Sequence, residues 1–457
     1  MDARDRAFEE FHEAICLTQT QRDRLDSAQR GVSTTLIREL GVAEDAIRLQ
    51  GSYATGTTIR PLDGDEFDID LVIRDCARDG ESSTTALQRV LRAIERNEVY
   101  KNKAELRNPC VRIAYADSTV GKMHVDVVPL RTSTEPPEFS DAPHQVHGWH
   151  ATAPGSFAEW VGQQPMHYCR TLRMLKSWRD EAEGVRDSVS SIILQVLIAR
   201  SFVGGSDDAE RIAATLKAMR AVLPDDEVPR VENPVLQSED LARNWKLPDY
   251  RLFLSMLEEA CDMATSALGA SSWPEEADHW QDLFGSRFPL PSREAVGVEL
   301  ADYSHQSSFA SRGWRVALDP GVSVGITAER ASRSGGRRRP LSARFVVASG
   351  QHLWFTAHVS GSSSHHVWWR VTNTGEHATQ EQSLRGQIIA AKNANGELSS
   401  DLVHYEATAY TGVHLVEAIA VADDTVVAKS EPFEVSIVSS NWDPRRRRST
   451  YPHHGMH

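Results

Sequence analysis

Apolar positions recur at helical spacing through the first forty residues, where Phe8, Phe11, Ile15, Leu36, Ile37 and Leu40 predict helix over 2–40. A short strand at 47–50 follows and runs into Gly51-Ser52-Tyr53. Residues 67–73 change period to two: Phe67, Ile69, Leu71 and Ile73 fall on one face, and Asp68, Asp70 and Val72 on the other. Strands are predicted at 111–115 and 123–128, and a Pro-, Ser-, Thr- and Gly-rich loop at 130–158. From 165 to about 285 the period is helical again, ending at Trp280…Phe284-Gly285 before Pro289 and Pro291. Residues 291–343, rich in Gly, Ser and Arg, read as a linker. Seven short alternating runs then occupy 344–348, 352–359, 366–373, 384–390, 402–410, 413–421 and 432–438. That spacing predicts an all-β sandwich. The expected organisation is an α+β catalytic lobe over about 1–150, a helical lobe over about 155–290, the linker, the sandwich at 344–438, and a basic tail at 439–457.

A chain of 457 residues exceeds one ordinary core. Its five cysteines are scattered and show no zinc spacing, which fits free thiols in a reducing cytoplasm. The charged start is no secretory leader, and no apolar run is long enough for a membrane span. A net charge of −14 argues against long nucleic acid as a partner. The clusters Arg337–Arg339 and Arg445–Arg448 read as a solvated linker and a solvated tail.

The candidate chemistry sits on the alternating strand. Asp68 and Asp70, two apart, project their carboxylates from one face. Such a pair is relieved by a divalent cation with oxygen ligands, and magnesium also keeps positions for substrate phosphates. Asp126, in Met123-His124-Val125-Asp126-Val127-Val128, can add a third carboxylate from a neighbouring strand, and His124 beside it reads as structural. A D-x-D pair alone decides nothing, because 64 acidic residues produce such pairs by chance. The conjunction with Gly51-Ser52 sixteen residues upstream is informative. A glycine after a strand allows close approach to phosphate, and a serine adds a hydroxyl donor.

The stretch Gln50-Gly51-Ser52-Tyr53-Ala54-Thr55-Gly56-Thr57, followed by Asp68-Ile69-Asp70 and Asp126-Val127-Val128-Pro129, resembles the core of the DNA polymerase beta nucleotidyltransferase superfamily. It is most similar to the CD-NTase (SMODS-type) family, bacterial relatives of cyclic GMP-AMP synthase and oligoadenylate synthase. The resemblance continues through Leu172–Trp178, Ser190-Ser191 and Trp280…Gly285, about 290 residues in all. It implies two Mg²⁺ (or Mn²⁺) ions on Asp68, Asp70 and Asp126, nucleotide binding by Gln50, Gly51 and Ser52, and triphosphate contacts from Lys176 and Ser191. A structural alternative for Ser191 is a helix N-cap. The implied activity joins ribonucleoside triphosphates into cyclic or linear oligonucleotides, read by a separate effector in anti-phage signalling. Alternatives are a nucleotidyltransferase toxin that modifies protein or RNA, and a silent nucleotide sensor.

Residues 344–438, through Val367–Gly375, Leu384-Arg385-Gly386 and Tyr410–Glu417, resemble the AGS-C sensor domain. Alternation over 366–372 places Val367, Trp369 and Val371 inward and His366, Trp368 and Arg370 outward. With Arg385, the outward set forms a candidate ligand face. The alternative is that Trp368 packs beneath a loop.

Overall fold

The structure is a computed structural model that describes residues 2–62, 65–116, 121–133, 140–182, 185–291, 305–332, 335–361, 365–374, 376–398 and 400–439. The tail cluster Arg445–Arg448, part of the expected linker and Gly375 lie outside the described residues. The chain divides into two compact units, His12–Glu258 and a second formed by Met1–Phe11 with Glu259–His457.

The first unit is built on a five-stranded sheet. Its strands are β1 (Ile47–Gln50), β2 (Glu66–Ile73), β3 (Ala104–Leu106), β4 (Val111–Tyr115) and β5 (Lys122–Pro129), in spatial order β1-β2-β5-β4-β3. Only β2 and β5 pair in parallel; the other neighbours are antiparallel. The inward set Phe67, Ile69, Leu71 and Ile73 is buried, with Leu25, Val32 and Leu36 of helix Gln19–Leu40 and Leu87, Val90 and Ile94 of helix Ser83–Glu95 in the same core. The helical stretch expected over 2–40 is two helices, Ala3–Ile15 and Gln19–Leu40. They are separated at Thr18, whose side chain and Gln21 close a reciprocal capping box.

Helices Tyr168–Glu181, Val185–Ser188, Ser191–Ser201 and Asp208–Val222 follow, then the hairpin of Glu232–Asn233 with Leu236–Asp240. The loop expected at 130–158 carries Ser140–His144 paired with Gly148–Thr152, and helix Pro154–Gly162. Two-residue and five-residue strands among Pro, His and Ser leave too little alternation to read.

In the second unit every one of the seven predicted runs contains a strand. One sheet includes His366–Asn373, Gly412–Ala422, Thr425–Lys429 and Phe433–Val438; the other has Arg339–Leu341, Ser323–Ala331, His352–Ser360 and Val403–Ala407. The linker boundary is therefore corrected. Ser323–Ala331 pairs along its full length with His352–Ser360, hidden in the sequence because its first half alternates among small residues. The solvated-linker reading of Arg337–Arg339 also changes. Arg339 is buried and donates to the Asp282 carbonyl at 2.6 Å, and Arg338 lies 4.2 Å from the centre of the Trp354 ring.

Helix Trp273–Phe284, assigned by sequence to the helical lobe, groups with the sandwich unit. Two contacts account for this. Phe8 packs edge-on to Trp280 and Phe288 at 5.2 and 5.1 Å, and fully buried Asp278 and Arg330 form an ion pair at 2.9 Å. Among the described residues no helix is long and apolar enough to cross a membrane.

Candidate functional site

The sheet register brings the expected carboxylates together. On β2, Asp70 stands opposite Gln50 of β1 on one side and opposite Asp126 of β5 on the other, and Asp68 stands opposite His124. Alternation buries Ile69 and leaves Asp68 and Asp70 half-buried on the opposite face. Burial raises the Asp70 carboxyl to about 7, and the negative charges of Asp68 and Asp126 push the same way. Arg112 opposes them.

Asp126 is committed differently. Arg112, its cross-strand partner, grips it through two parallel hydrogen bonds, Nε to Oδ1 at 2.9 Å and Nη2 to Oδ2 at 2.8 Å. His124 lies 3.8 Å from Asp126 Oδ2 and 3.1 Å from Glu66, a structural bridge between neighbouring strands. Among the described residues, no three His, Cys, Asp or Glu side chains converge as a ready-made ligand set. Asp68 and Asp70 are nonetheless an acidic pair in which burial and like charge outweigh the opposing Arg112, a balance that a divalent metal would relieve.

At the end of β1 the chain turns into the short helix Gly51–Ala54. Gly51 has φ of +70°, and a Cβ there would stand 2.0 Å from Asp70 Oδ2, so both backbone angle and space demand glycine. The loop is knit by its own groups. Ser52 Oγ lies 2.8 Å from Thr58 Oγ1, and Thr57 N–H donates to the Ser52 carbonyl at 2.8 Å.

Lys176 reaches this loop from helix Tyr168–Glu181. Its side chain is buried, and Nζ donates to the Thr57 carbonyl at 3.1 Å. Burial lowers its pKa to about 8, and the charge of Arg179 adds to that effect. Arg173 of the same helix donates to the Gly56 carbonyl. The two serines separate cleanly: Ser190 is the N-cap, accepting from Ile193 N–H at 3.4 Å, which removes the N-cap alternative for Ser191. Ser191 Oγ accepts from Arg179 Nη1 at 2.7 Å.

These groups share one cavity of about 390 Å³, whose lining includes Gln50, Gly51, Ser52, Asp68, Asp70, Lys176 and Ser191. Asp126 is not part of the lining and stands behind Asp70. The same walls carry residues the sequence reading did not single out: Arg179, Asp180, Arg186, Asn233 and Glu239. Arg179 was within reach of sequence reasoning, three residues beyond Lys176 on the same helix face. Arg186 pairs with Asp65, and Asn233 Nδ2 donates to Glu239 Oε2 at 2.8 Å. Asn233 and Glu239 come from a hairpin that has no clear alternation.

The proposed ligand face of the sandwich does not form. Arg370 is buried and ion-paired to buried Glu417 at 2.7 Å. Trp368 is covered by Trp314, edge-on at 5.4 Å, and by the Arg312 guanidinium at 4.7 Å. The covering residues come from the stretch read as linker, so sequence alternation alone left the face open. Arg385 lies elsewhere and pairs with Glu406 at 2.7 Å.

The enzyme class is nucleotidyltransferase. Residues 1–164 match the Second Messenger Oligonucleotide or Dinucleotide Synthetase domain, and residues 304–438 match the Adenylyl/Guanylyl and SMODS C-terminal sensor domain. The chain has the CD-NTase plus AGS-C architecture, that of a cyclic-oligonucleotide second-messenger synthase with an AGS-C domain at its C-terminal side. It is 26% identical over 325 residues to a c-di-GMP synthase of Roseivirga ehrenbergii, covering 62% of this chain and 84% of that protein. It is 21% identical over 348 residues to a cyclic AMP-AMP-GMP synthase of Enterobacter hormaechei, covering 62% and 91%. In fold it is similar to the Bradyrhizobium diazoefficiens CD-NTase CdnG in complex with GTP, at TM-score 0.52 and 18% identity, covering 63% of this chain and 97% of that one.

Proposed function

We propose that the cleft over β2 joins ribonucleoside triphosphates, GTP among them, by attack of one nucleotide's hydroxyl on the α-phosphate of another, with pyrophosphate leaving. The observation that carries this reading is the convergence of Asp68, Asp70, Ser52, Lys176 and Ser191 on one cavity.

Asp68 and Asp70 would hold the divalent ions, Mg²⁺ or Mn²⁺, two per site, and Asp126 would complete the set by giving up part of its contact with Arg112. Bound there, the ions supply activation of the attacking hydroxyl and neutralisation of charge on pyrophosphate. Ser52 Oγ and the Gly51 backbone N–H donate to the β- and γ-phosphates. Lys176 lies buried beside that loop, where a cation acts with little solvent screening. Ser191 and Arg179, already hydrogen-bonded to each other, form a second donor pair from the helical side.

Guanine use is supported by two features. The names of the two curated relatives described above include a guanine nucleotide. Glu239, fixed by Asn233, places a carboxylate in the cavity wall that can accept from guanine N–H donors. In this reading the enzyme works in the cytoplasm and its product is a signal for a separate effector in anti-phage defence. Incubation with each labelled ribonucleotide and Mg²⁺, then phosphatase, tests it. Retained label from GTP is expected, and retained label from ATP or pyrimidines alone contradicts guanine use.

A further inference from the structure

Between the two sheets of the C-terminal unit lies a cavity of about 210 Å³, apart from the catalytic cleft and not used by the reaction. Protein interiors contain few voids larger than a water molecule. This one is walled by Leu353 and Phe355 of one sheet and Val371, Val416 and Val435 of the other, where a sandwich ordinarily closes its core. A cavity of roughly 150 Å³ accommodates one benzene. The volume here therefore admits a bicyclic ring and excludes a dinucleotide.

Its polar groups are few and organised. Arg385 and Lys392 both bear on Glu406, at 2.7 and 3.2 Å, so two cations face one carboxylate and positive charge is in surplus. His404 Nε2 also holds Glu406 at 2.8 Å, which fixes the carboxylate on its inner side. Arg385 and Lys392 are about one-third exposed and form the mouth.

His414, in the lining, has an Nε2 shielded from solvent and without a hydrogen-bond partner among the described residues. Burial lowers its pKa to about 4, so the ring is neutral. The Tyr410 backbone acts in the opposite direction, but burial outweighs it. In the Nδ1–H tautomer of this neutral ring, Nε2 is an acceptor that needs a donor. A buried acceptor without a partner costs about 1–3 kcal/mol.

We propose that this cavity binds a flat heteroaromatic anion whose ring lies between the sheets, whose N–H donates to His414 Nε2, and whose phosphate or carboxylate meets Arg385 and Lys392. The size and donor pattern fit a single purine nucleotide or an indole carboxylate. The site is independent of the roles proposed for the catalytic cleft.

The test is calorimetric titration of the full chain with GMP, AMP and indole-3-carboxylate, with the catalytic cleft saturated by a non-hydrolysable GTP analogue and Mg²⁺. One site per chain is expected for at least one probe, and the probe that binds distinguishes nucleotide from aromatic acid. Lys392→Ala and His414→Phe should each weaken it at least tenfold. Lys392 sits at the mouth, so its variant should keep the unliganded unfolding temperature even if His414→Phe does not fold. Absence of binding by all three probes, or binding unchanged in both variants, overturns the proposal.

Discussion

Gly51 and Asp70 compete for one space: a Cβ on the glycine would stand 2.0 Å from the carboxylate oxygen. The loop and the acidic strand therefore form one unit, and the smallest possible substitution couples them. Gly51→Ala should abolish product formation by displacing Asp70. The left-handed backbone adds ~1–2 kcal/mol of strain, a loss that the fold should survive. Activity assayed beside circular dichroism checks this; near wild-type turnover would mean that Asp70 can move without consequence.

The three carboxylates should separate in stability though not in activity. Asp68→Asn, Asp70→Asn and Asp126→Asn are each expected to abolish synthesis. Without metal, neutralising Asp68 or Asp70 relieves like-charge repulsion and should leave the melting temperature equal or higher. Asp126→Asn should lower it, because Arg112 loses its two-point partner. Thermal denaturation in a chelator distinguishes the cases, and an identical shift for all three would contradict the assigned Arg112 contact.

Lys176 gives a pH prediction with a definite sign. Its folded pKa of about 8 lies below the ordinary 10.5. In the free enzyme its charge is lost as pH rises through about 8, so kcat/KM should decline there. Stability changes in the other direction: the buried charge imposes a cost below about pH 8 that is relieved between 8 and 10.5. Lys176→Ala should remove both dependences and slow synthesis on the order of 10²-fold. An unchanged alkaline limb in the variant would assign that limb to another group.

How much was legible follows from these elements. The period-two run at 67–73 and the glycine-serine turn were readable because strand alternation and a required glycine leave marks in a single sequence. Arg112 was not, since its relation to Asp126 depends on the pairing of β4 with β5, a register no local pattern specifies. Glu239 escaped for the same reason, on a hairpin too short to alternate. The outward set of 366–372 was read correctly in parity, and of the two alternatives for Trp368 the structure shows the packed one. Parity is a property of one strand, whereas the cover from Arg312 and Trp314 comes from a segment far upstream in the chain.

That cover yields a further prediction. Arg370→Ala leaves the buried Glu417 carboxylate only the distant Lys429, at 3.9 Å, and should destabilise the sandwich by about 3–5 kcal/mol. Arg370→Ala combined with Glu417→Ala should recover part of the loss. Chemical denaturation of the variants checks this; a harmless single substitution would show that the pair is solvated.

The most direct test of the central claim uses pure protein, labelled ribonucleoside triphosphates and Mg²⁺ or Mn²⁺, followed by phosphatase and separation of products, with Asp70→Asn alongside. A small phosphatase-resistant labelled species, absent from the variant, is the predicted result. Label fixed to protein or to added RNA, or product formed equally by Asp70→Asn, would contradict it.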